Sequence, residues 1–418
     1  MAGYVFIGDD FTGASDTLAT IAERGHRARL FIDVPVPDEP ACAGLDAIGI
    51  ATDLRALDAD EIAGRVRAMG RRLKALDARI VHYKVCSTFD SSASVGSIGA
   101  AVTALEEVLK PALTLIVGGQ PSLGRYCQFG NLFARGPDGA VHRIDRHPIM
   151  SRHPTTPMGE ADLRLHLAAQ GLGGIALHPW TEAAKGAQAL QEWLQRAASE
   201  QQRVLLDVTC QHDLGMIGAA LRALAGEHRL LVIGASSVAE AVFERQYGFA
   251  PSVTDYAGTG PVLAIVGSRS STSAAQVQEA TRFSRVAVAP EAARVASAAL
   301  AEGILSRLHG GENVLVHLLP DADYGCLPSE LSESLAALTE KIIDGYPLRS
   351  LAIAGGDTSS VISRRLGLES LIFEGRLDAG VCVCRTHSAD PSRDGLRLLL
   401  KGGQVGGRSI FDTFAAMI

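Results

Sequence analysis

The sequence predicts an α/β protein of two domains, each a mostly parallel sheet flanked by helices. Three observations predict it. Short runs of Val, Ile and Leu alternate with Ala- and Leu-rich helical patterns through nearly the whole chain, which is how strands joined by crossover helices read. The chain has 418 residues, room for two to three domains at roughly 150 residues each. Between two alternating series lies YGFAPSVTDYAGTGP, residues 247–261, rich in Gly, Pro, Ser and Thr and without apolar periodicity. A linker reads this way, so the domains are expected over 1–248 and 260–418.

In the first series the strands are YVFIG (4–8), ARLFI (28–32), DAIGIAT (46–52), RIVHYKV (79–85) and LTLIVGG (113–119), followed by GGIALHP, RVLLDVT and RLLVIGAS. The stretch 120–158 is irregular, with several Pro, Gly, Arg and His residues, and is expected to pack an antiparallel hairpin and loops against the first sheet. The second series runs VLAIVGS (262–268), RVAVAP, NVLVHLL, SLAIAGG and LRLLLKGG. No repeat of solenoid or propeller period interrupts it. Ligands of open α/β sheets bind beyond the carboxyl ends of the strands, so the strand-to-helix turns are where function is sought.

Composition narrows the partners. With 39 Lys+Arg against 46 Asp+Glu the formal charge is −7, a poor balance for nucleic acid, whose affinity rests on clustered cations. The seven cysteines are odd in number and form no C-x-x-C; Cys382 and Cys384 share a strand face and are read as packing. The N-terminus lacks a basic region, and no apolar run approaches the ~20 residues of a membrane span. A soluble cytoplasmic protein acting on small molecules is expected, with monomer and homo-oligomer both compatible.

The turn GDDFTGASD, Gly8 to Asp16, nearly matches two motifs. As a phosphate loop it has Ala14 where the lysine belongs and two carboxylates inside. As an aspartyl-phosphate phosphatase turn it has Gly8 at the nucleophile position. What remains is a pair of acceptors at a strand end, suited to gripping polyol hydroxyls or removing a proton, with Asp10 as acceptor or base and Asp9 orienting. The alternative is a helix cap by Asp10 or Thr12.

A second turn, KVCSTFDSS from Lys84 to Ser92, offers an ammonium and hydroxyls including Ser87 and Thr88 next to the start of an Ala-rich helix. That combination favours an anion such as a carboxylate, or is an ordinary cap cluster. In the irregular stretch, Arg125 of GRY and the His-Pro pairs of RHPIMSRHPTTPM (146–158), His153 among them, could close over an acidic substrate or form a structural loop. His147 and His153 lack metal-ligand spacing, and no metal is assigned to protein ligands.

In the second series GSRSSTSAAQ (267–276) and GGDTSS (355–360) each follow a strand and open a helix. Such glycines let backbone N–H groups approach phosphate and the hydroxyls add donors, although each is also a good turn and cap. Asp357 suits the second loop if it holds Mg²⁺ through water or bonds a ribose. The late segment GGQVGGRS (402–409) mimics a Walker loop with Arg408 for lysine. Only nine residues follow Ser409, too few for the crossover to another strand, so it reads as a glycine-rich loop beside the nucleotide, Gly403 included.

Together these turns resemble the four-carbon acid sugar kinase family, which includes 3-oxo-tetronate, D-threonate and D-erythronate kinases. The pieces that carry the resemblance are GDDFTGASD at 8–16, YKVCSTFDSS at 83–92, SRHPTTPM at 151–158, GSRSSTSAAQ at 267–276 and GGDTSS at 355–360. The resemblance implies an N-terminal sugar-acid domain and a C-terminal nucleotide domain, with ATP, Mg²⁺ and the active site in the cleft between them. By the same resemblance Asp9, Asp10, Lys84, Ser87 and Thr88 would face the sugar acid, and Ser268, Ser270, Gly355, Gly356, Asp357 and Thr358 would face ATP. Two departures stand out. KGGQVGG (401–407) replaces a K-S-G-N-F-G-like turn, with Gln404 for asparagine, and YCQFG (126–130) replaces a T-V-N-G-like step after Gly124-Arg125.

The expected activity is transfer of phosphate from ATP to the terminal hydroxyl of a four-carbon sugar acid such as 3-oxo-tetronate, threonate or erythronate. Such a reaction needs positioning and charge neutralisation more than covalent catalysis. A phosphatase is disfavoured by Gly8, and a catalytically silent nucleotide and sugar-acid sensor is the rival of a different class.

Overall fold

A computed structural model of the chain describes residues 3–246, 260–294 and 298–417. The apolar runs form strands: β1 (Tyr4–Gly8), β2 (Ala28–Phe31), β3 (Ala47–Ala51), β4 (Ile80–Lys84), β5 (Leu113–Val117), β6 (Gly119–Gln120), β7 (Arg125–Gln128), β8 (Asn131–Arg135), β9 (Val141–Arg143), β10 (Ile175–His178), β11 (Arg203–Leu206) and β12 (Leu230–Gly234). The second series supplies β13 (Val262–Val266), β14 (Ser284–Val288), β15 (Val314–Leu318), β16 (Ser350–Ala354), β17 (Ser370–Asp378), β18 (Val381–His387) and β19 (Arg397–Lys401).

The chain divides into two units, one comprising Met1–Asp9, Thr20–Ala28 and Val34–Phe249, the other Asp10–Ala19, Arg29–Asp33 and Ala250–Ile418. Of the linker expected at 247–261, residues 247–259 lie outside the described residues. The division is not one cut in sequence, because two short N-terminal pieces group with the second unit.

The first unit carries a parallel sheet ordered β10-β11-β5-β12-β4-β1-β3. Strands β1, β3, β4, β5 and β12 are buried at every position, which is why they read as continuous apolar runs rather than alternating ones. Close packing is built into the pairing: Phe6 lies opposite Gly49, where a Cβ would come within 2.2 Å of the ring. The helix Ala59–Ala75 starts where Asp58 and Glu61 form a reciprocal capping box. The irregular stretch folds as a four-stranded antiparallel sheet, β6-β7-β8-β9. It is tied to the end of β11 by the bridge between Cys127 and Val208 and by the Asp207 carboxylate, which accepts the Phe129 N–H at 2.6 Å and the Gly130 N–H at 2.9 Å.

The second unit's sheet runs β17-β18-β19-β16-β13-β15-β14, with Leu30 and Phe31 of β2 pairing antiparallel with β17. From β19 to β14 the strands are parallel. The β17–β18 hairpin is antiparallel, an element the sequence reading did not anticipate. Its two-residue turn ends in Gly380 at φ 71°, and register shifts between Phe373 and Gly375 and between Arg376 and Asp378 spoil the alternation that would have marked it. Cys382 and Cys384 are buried free thiols on β18, as packing residues should be. The chain ends in the helix Ile410–Ala416, whose Phe411 and Phe414 enter the core with Val262, Val266 and Phe283. No helix among the described residues is long and apolar enough to cross a membrane.

Strand order places the switch points. β1 lies between β3 and β4, and β13 lies between β15 and β16, so in each unit the turns beyond those strands line the crevice where open sheets bind ligands.

Candidate functional site

In the first unit three charged residues gather where β1, β3 and β4 end. Gly8 stands in register with Ala51 on one side and Lys84 on the other. The Asp9 N–H donates to the Lys84 carbonyl at 2.9 Å, and the Arg55 N–H donates to the Asp9 carbonyl at 2.9 Å. The Asp9 carboxylate is nearly buried, and Arg55 grips it twice, Nε to Oδ2 at 3.0 Å and Nη2 to Oδ1 at 2.6 Å. Sequence reasoning missed Arg55. It sits two residues beyond Asp53 in the turn after β3, and the signal was a cation at the end of a strand neighbouring β1. Asp9 is therefore a neutralised, immobilised carboxylate rather than an open acceptor.

Lys84, the last residue of β4, is 5% exposed, and its ammonium has no hydrogen bond or ion pair among the described residues. An ammonium taken from water without a partner costs several kcal/mol, so this position calls for an anion. Beyond it Ser87 has a half-buried hydroxyl, while Thr88 is buried, donating to Asp90 Oδ1 and lying 2.9 Å from Cys86 Sγ. Burial pushes the Cys86 thiol up to about 11. Phe89 turns the chain with a left-handed φ of 54°, and its carbonyl takes bonds from the Ser91 hydroxyl at 2.9 Å and from His166 Nε2 at 3.1 Å.

One expectation is corrected here. The helix does not start beside Ser92: it spans Ile98–Leu109 and is capped by Ser97, whose Oγ accepts the Ala100 N–H. The hydroxyls of 88–92 are spent within the turn, including Ser92 on the Val95 carbonyl at 3.0 Å, a local competition typical of Ser and Thr. Lys84 thus acts without a helix N-terminus beside Ser92.

Arg125 and His153 are engaged locally. Arg125 donates from Nη1 to the Leu123 carbonyl, and its Nε is buried without a partner. His153 Nδ1 receives the Thr156 N–H at 3.2 Å and lies 3.1 Å from its hydroxyl, so His153 organises the SRHPTTPM turn. No bond joins either residue to Lys84 or Ser87 among the described residues.

In the second unit three glycine- and hydroxyl-rich turns converge at the ends of the adjacent strands β19, β16 and β13. Ser270 caps the helix Ser271–Glu279 by accepting the Ser273 N–H, and its hydroxyl donates to the Gly403 carbonyl at 2.5 Å, as Ser273 does at 3.0 Å. Ser268 bonds Ser270 at 3.2 Å. A Cβ on Gly403 would stand 2.4 Å from Ser268 Oγ, and one on Gly267 would stand 2.1 Å from Thr358 Oγ1. Only glycine permits that approach.

Gly355, with φ 127°, precedes the helix Gly356–Arg365. The Gly356 and Thr358 N–H groups at its start have no acceptor among the described residues, an arrangement that receives phosphate. Asp357 is exposed in the same turn. Gln404 accepts from the Thr272 hydroxyl at 3.3 Å, and Arg408 lies 3.8 Å from the Glu279 carboxylate.

Asp10 belongs to this second grouping. Its Oδ1 caps the helix Phe11–Ala22 by accepting the Gly13 N–H at 3.0 Å, and its Oδ2 accepts the Thr12 hydroxyl at 2.8 Å. A Cβ built on Gly356 would lie 3.9 Å from both Asp10 Oδ2 and Thr12 Oγ1. The cap is real, and it also aims a carboxylate at the Gly356 turn.

Residues 4–242 match the sugar-binding N-terminal domain family, and residues 263–411 match the nucleotide-binding C-terminal domain family. The chain is 34% identical to the 3-oxo-isoapionate kinase of Paraburkholderia graminis, with 97% of this chain and 92% of that protein aligned. It is 30% identical to the 3-oxo-tetronate kinase of Burkholderia multivorans over 97% and 95% of the two chains. Among solved structures, one from Salmonella typhimurium LT2 covers 99% of this chain and 98% of its own at TM-score 0.79 and 25% identity. Haemophilus influenzae protein HI1011 has the same fold, at TM-score 0.76 and 24% identity over 99% of each chain.

Proposed function

The chain belongs to the four-carbon acid sugar kinase family, and from that premise we propose that it is an ATP-dependent kinase for the terminal hydroxyl of a four-carbon sugar acid. The observation that carries the reading is the Asp10 carboxylate aimed at the Gly356 turn, where unpartnered amides await phosphate.

In this reading Lys84 pairs with the carboxylate of the acid, Asp9 and Arg55 keep the turn after β1 rigid and polar, and Ser87 and Thr88 line the same side. Arg125 and His153 shape the hairpin and loop on that unit. Ser268, Ser270, Gly355, Gly356, Thr358 and Gly403 hold the nucleotide phosphates through amides and hydroxyls. Asp10 accepts the proton of the attacking hydroxyl, a transfer that contributes about 10²–10⁴-fold.

The residues fit Mg²⁺ in the way that ion is usually held, by one or two carboxylates plus substrate phosphates. Asp10 and Asp357 are the carboxylates at the phosphate turn. When bound, the ion neutralises charge on the transferring phosphoryl group.

A second reading of the substrate is 3-oxo-isoapionate, favoured by the 34% identity to a kinase of that name against 28–30% for several 3-oxo-tetronate kinases. One experiment tests both. The protein is incubated with ATP, Mg²⁺ and a panel of 3-oxo-tetronates, threonates, erythronates and 3-oxo-isoapionate, following ADP and the phosphorylated acid. Turnover of a 3-oxo-tetronate, threonate or erythronate with a 4-phosphate product supports the first reading, and preference for 3-oxo-isoapionate the second. ADP without a phosphorylated acid sinks the kinase reading, and acid and nucleotide bound without any ADP leaves the sensor.

A further inference from the structure

Behind the three phosphate-facing turns lies a charge the reaction scheme above does not use. Lys401, the last residue of β19, has 0% exposure. Its Nζ donates to Ser273 Oγ at 3.4 Å, a long bond, and it has no ion pair among the described residues. The Lys401 carbonyl accepts the Gly355 N–H at 3.0 Å, and Ser273 in turn donates to the Gly403 carbonyl at 3.0 Å. One residue therefore touches two of the turns through its backbone and its ammonium. Its strand neighbours, Ala354 and Val381, are apolar.

The ionisable groups on the surrounding elements are committed elsewhere. Asp10 bonds Thr12 and Gly13, Asp16 pairs with Arg376, Asp378 accepts the Gly407 N–H, Cys382 donates to the Ser15 carbonyl, and Glu279 meets Arg408. Asp357 does not bond Lys401. The ammonium also lies at the N-terminal turn of the helix Ser271–Glu279, whose dipole has its own sign. Burial accordingly pushes Lys401 down to about 8.

Placing an uncompensated cation there is unfavourable in the empty protein and becomes favourable only when an anion arrives. We propose that Lys401 is the fixed cation of the nucleotide site, a positioning residue that draws the phosphate group onto the Ser270, Gly355 and Gly403 turns from beneath. This inference rests on the reading of the second unit as the nucleotide side.

Linkage supplies a readout that a structural lysine would not move. With its folded value near 8, binding of a phosphate anion at pH 8 draws about half a proton onto the protein. Calorimetry of ADP binding at pH 8, in buffers of different ionisation enthalpy, is expected to show that uptake in the full chain and to lose it in Lys401→Met. The variant is expected to bind ADP at least tenfold more weakly and, without ligand at pH 7, to melt no lower than the parent.

The unliganded parent gives a further sign. Between about 8 and the ordinary lysine value of 10.5 the unfolded chain holds a proton that the folded one has lost, so this group makes stability rise with pH there. Lys401→Met removes that rise. Lys401→Gln, which can still bond Ser273, serves the same purpose if the methionine variant does not fold. Equal proton uptake in parent and variant, or a variant that melts lower and binds ADP unchanged, overturns the proposal. Failure of the parent to bind ADP at all overturns the kinase reading with it.

Discussion

At the end of β1 the first unit assembles ionised groups: Asp9 locked to Arg55, and Lys84 left over. At the ends of β13, β16 and β19 the second unit offers amides, hydroxyls and glycine cradles, with its cation buried behind them. Both are switch points of open α/β sheets, so the fold alone does not explain the contrast. The ligands proposed for them do. A small acid with hydroxyls needs one matched charge and directional acceptors. A polyphosphate carries several charges over many oxygens and is best met by a concave backbone.

Four measurements would break or sharpen that contrast. The largest effect is expected for Asp10→Asn, which keeps the cap but removes the proposed base: kcat should fall about 100-fold or more. Near-normal turnover would reduce Asp10 to a helix cap. Next, Lys84→Met should raise KM for the acid by about 10–100-fold, as for a lost charge-assisted bond of ~1.5–3 kcal/mol, and leave KM for ATP alone. A shift in KM for ATP instead would erase the division of labour between the clusters.

Gly267→Ala forces a Cβ to within 2.1 Å of Thr358 Oγ1, and overpacking of ~1–3 kcal/mol should weaken ATP binding about 5–150-fold without changing acid affinity. The smallest effect concerns Cys86. Because burial holds its thiol near 11, about 1% is thiolate at pH 9, and iodoacetamide should leave Cys86 unmodified between pH 7 and 9 while the exposed Cys210 reacts, as read by peptide mapping. Alkylation of Cys86 itself with an ordinary thiol titration would show the turn after β4 to be open.

The fold was legible where burial is two-sided. Strands such as AIGIA and LLVIG face protein on both surfaces, so their composition alone identifies them. The β17–β18 hairpin was not legible, since bulges break its alternation and its turn carries one glycine. In the site, the glycine loops of the second unit could be read because close backbone approach demands a residue type. Arg55 and Lys401 could not be. Arg55 matters through a partner 46 positions earlier in the chain, and Lys401 through its burial, and neither property leaves a mark on neighbouring letters. The helix start at Ile98 was missed because Ser87 to Ser92 use the same residue types for local turns as for caps.

The division of the N-terminal segment also bears on how the chain is made. Phe31 pairs with Ser370, and Ser15 receives a bond from Cys382, so these pieces must wait for partners synthesised more than 300 residues later. Pairing over such separations is slow, and an unpaired β2 edge is exposed in the interval. A gene fragment encoding 260–418 alone would lack both pieces, and with them Asp10. The second unit is therefore complete only when Asp10–Ala19 and Arg29–Asp33 are present with Ala250–Ile418.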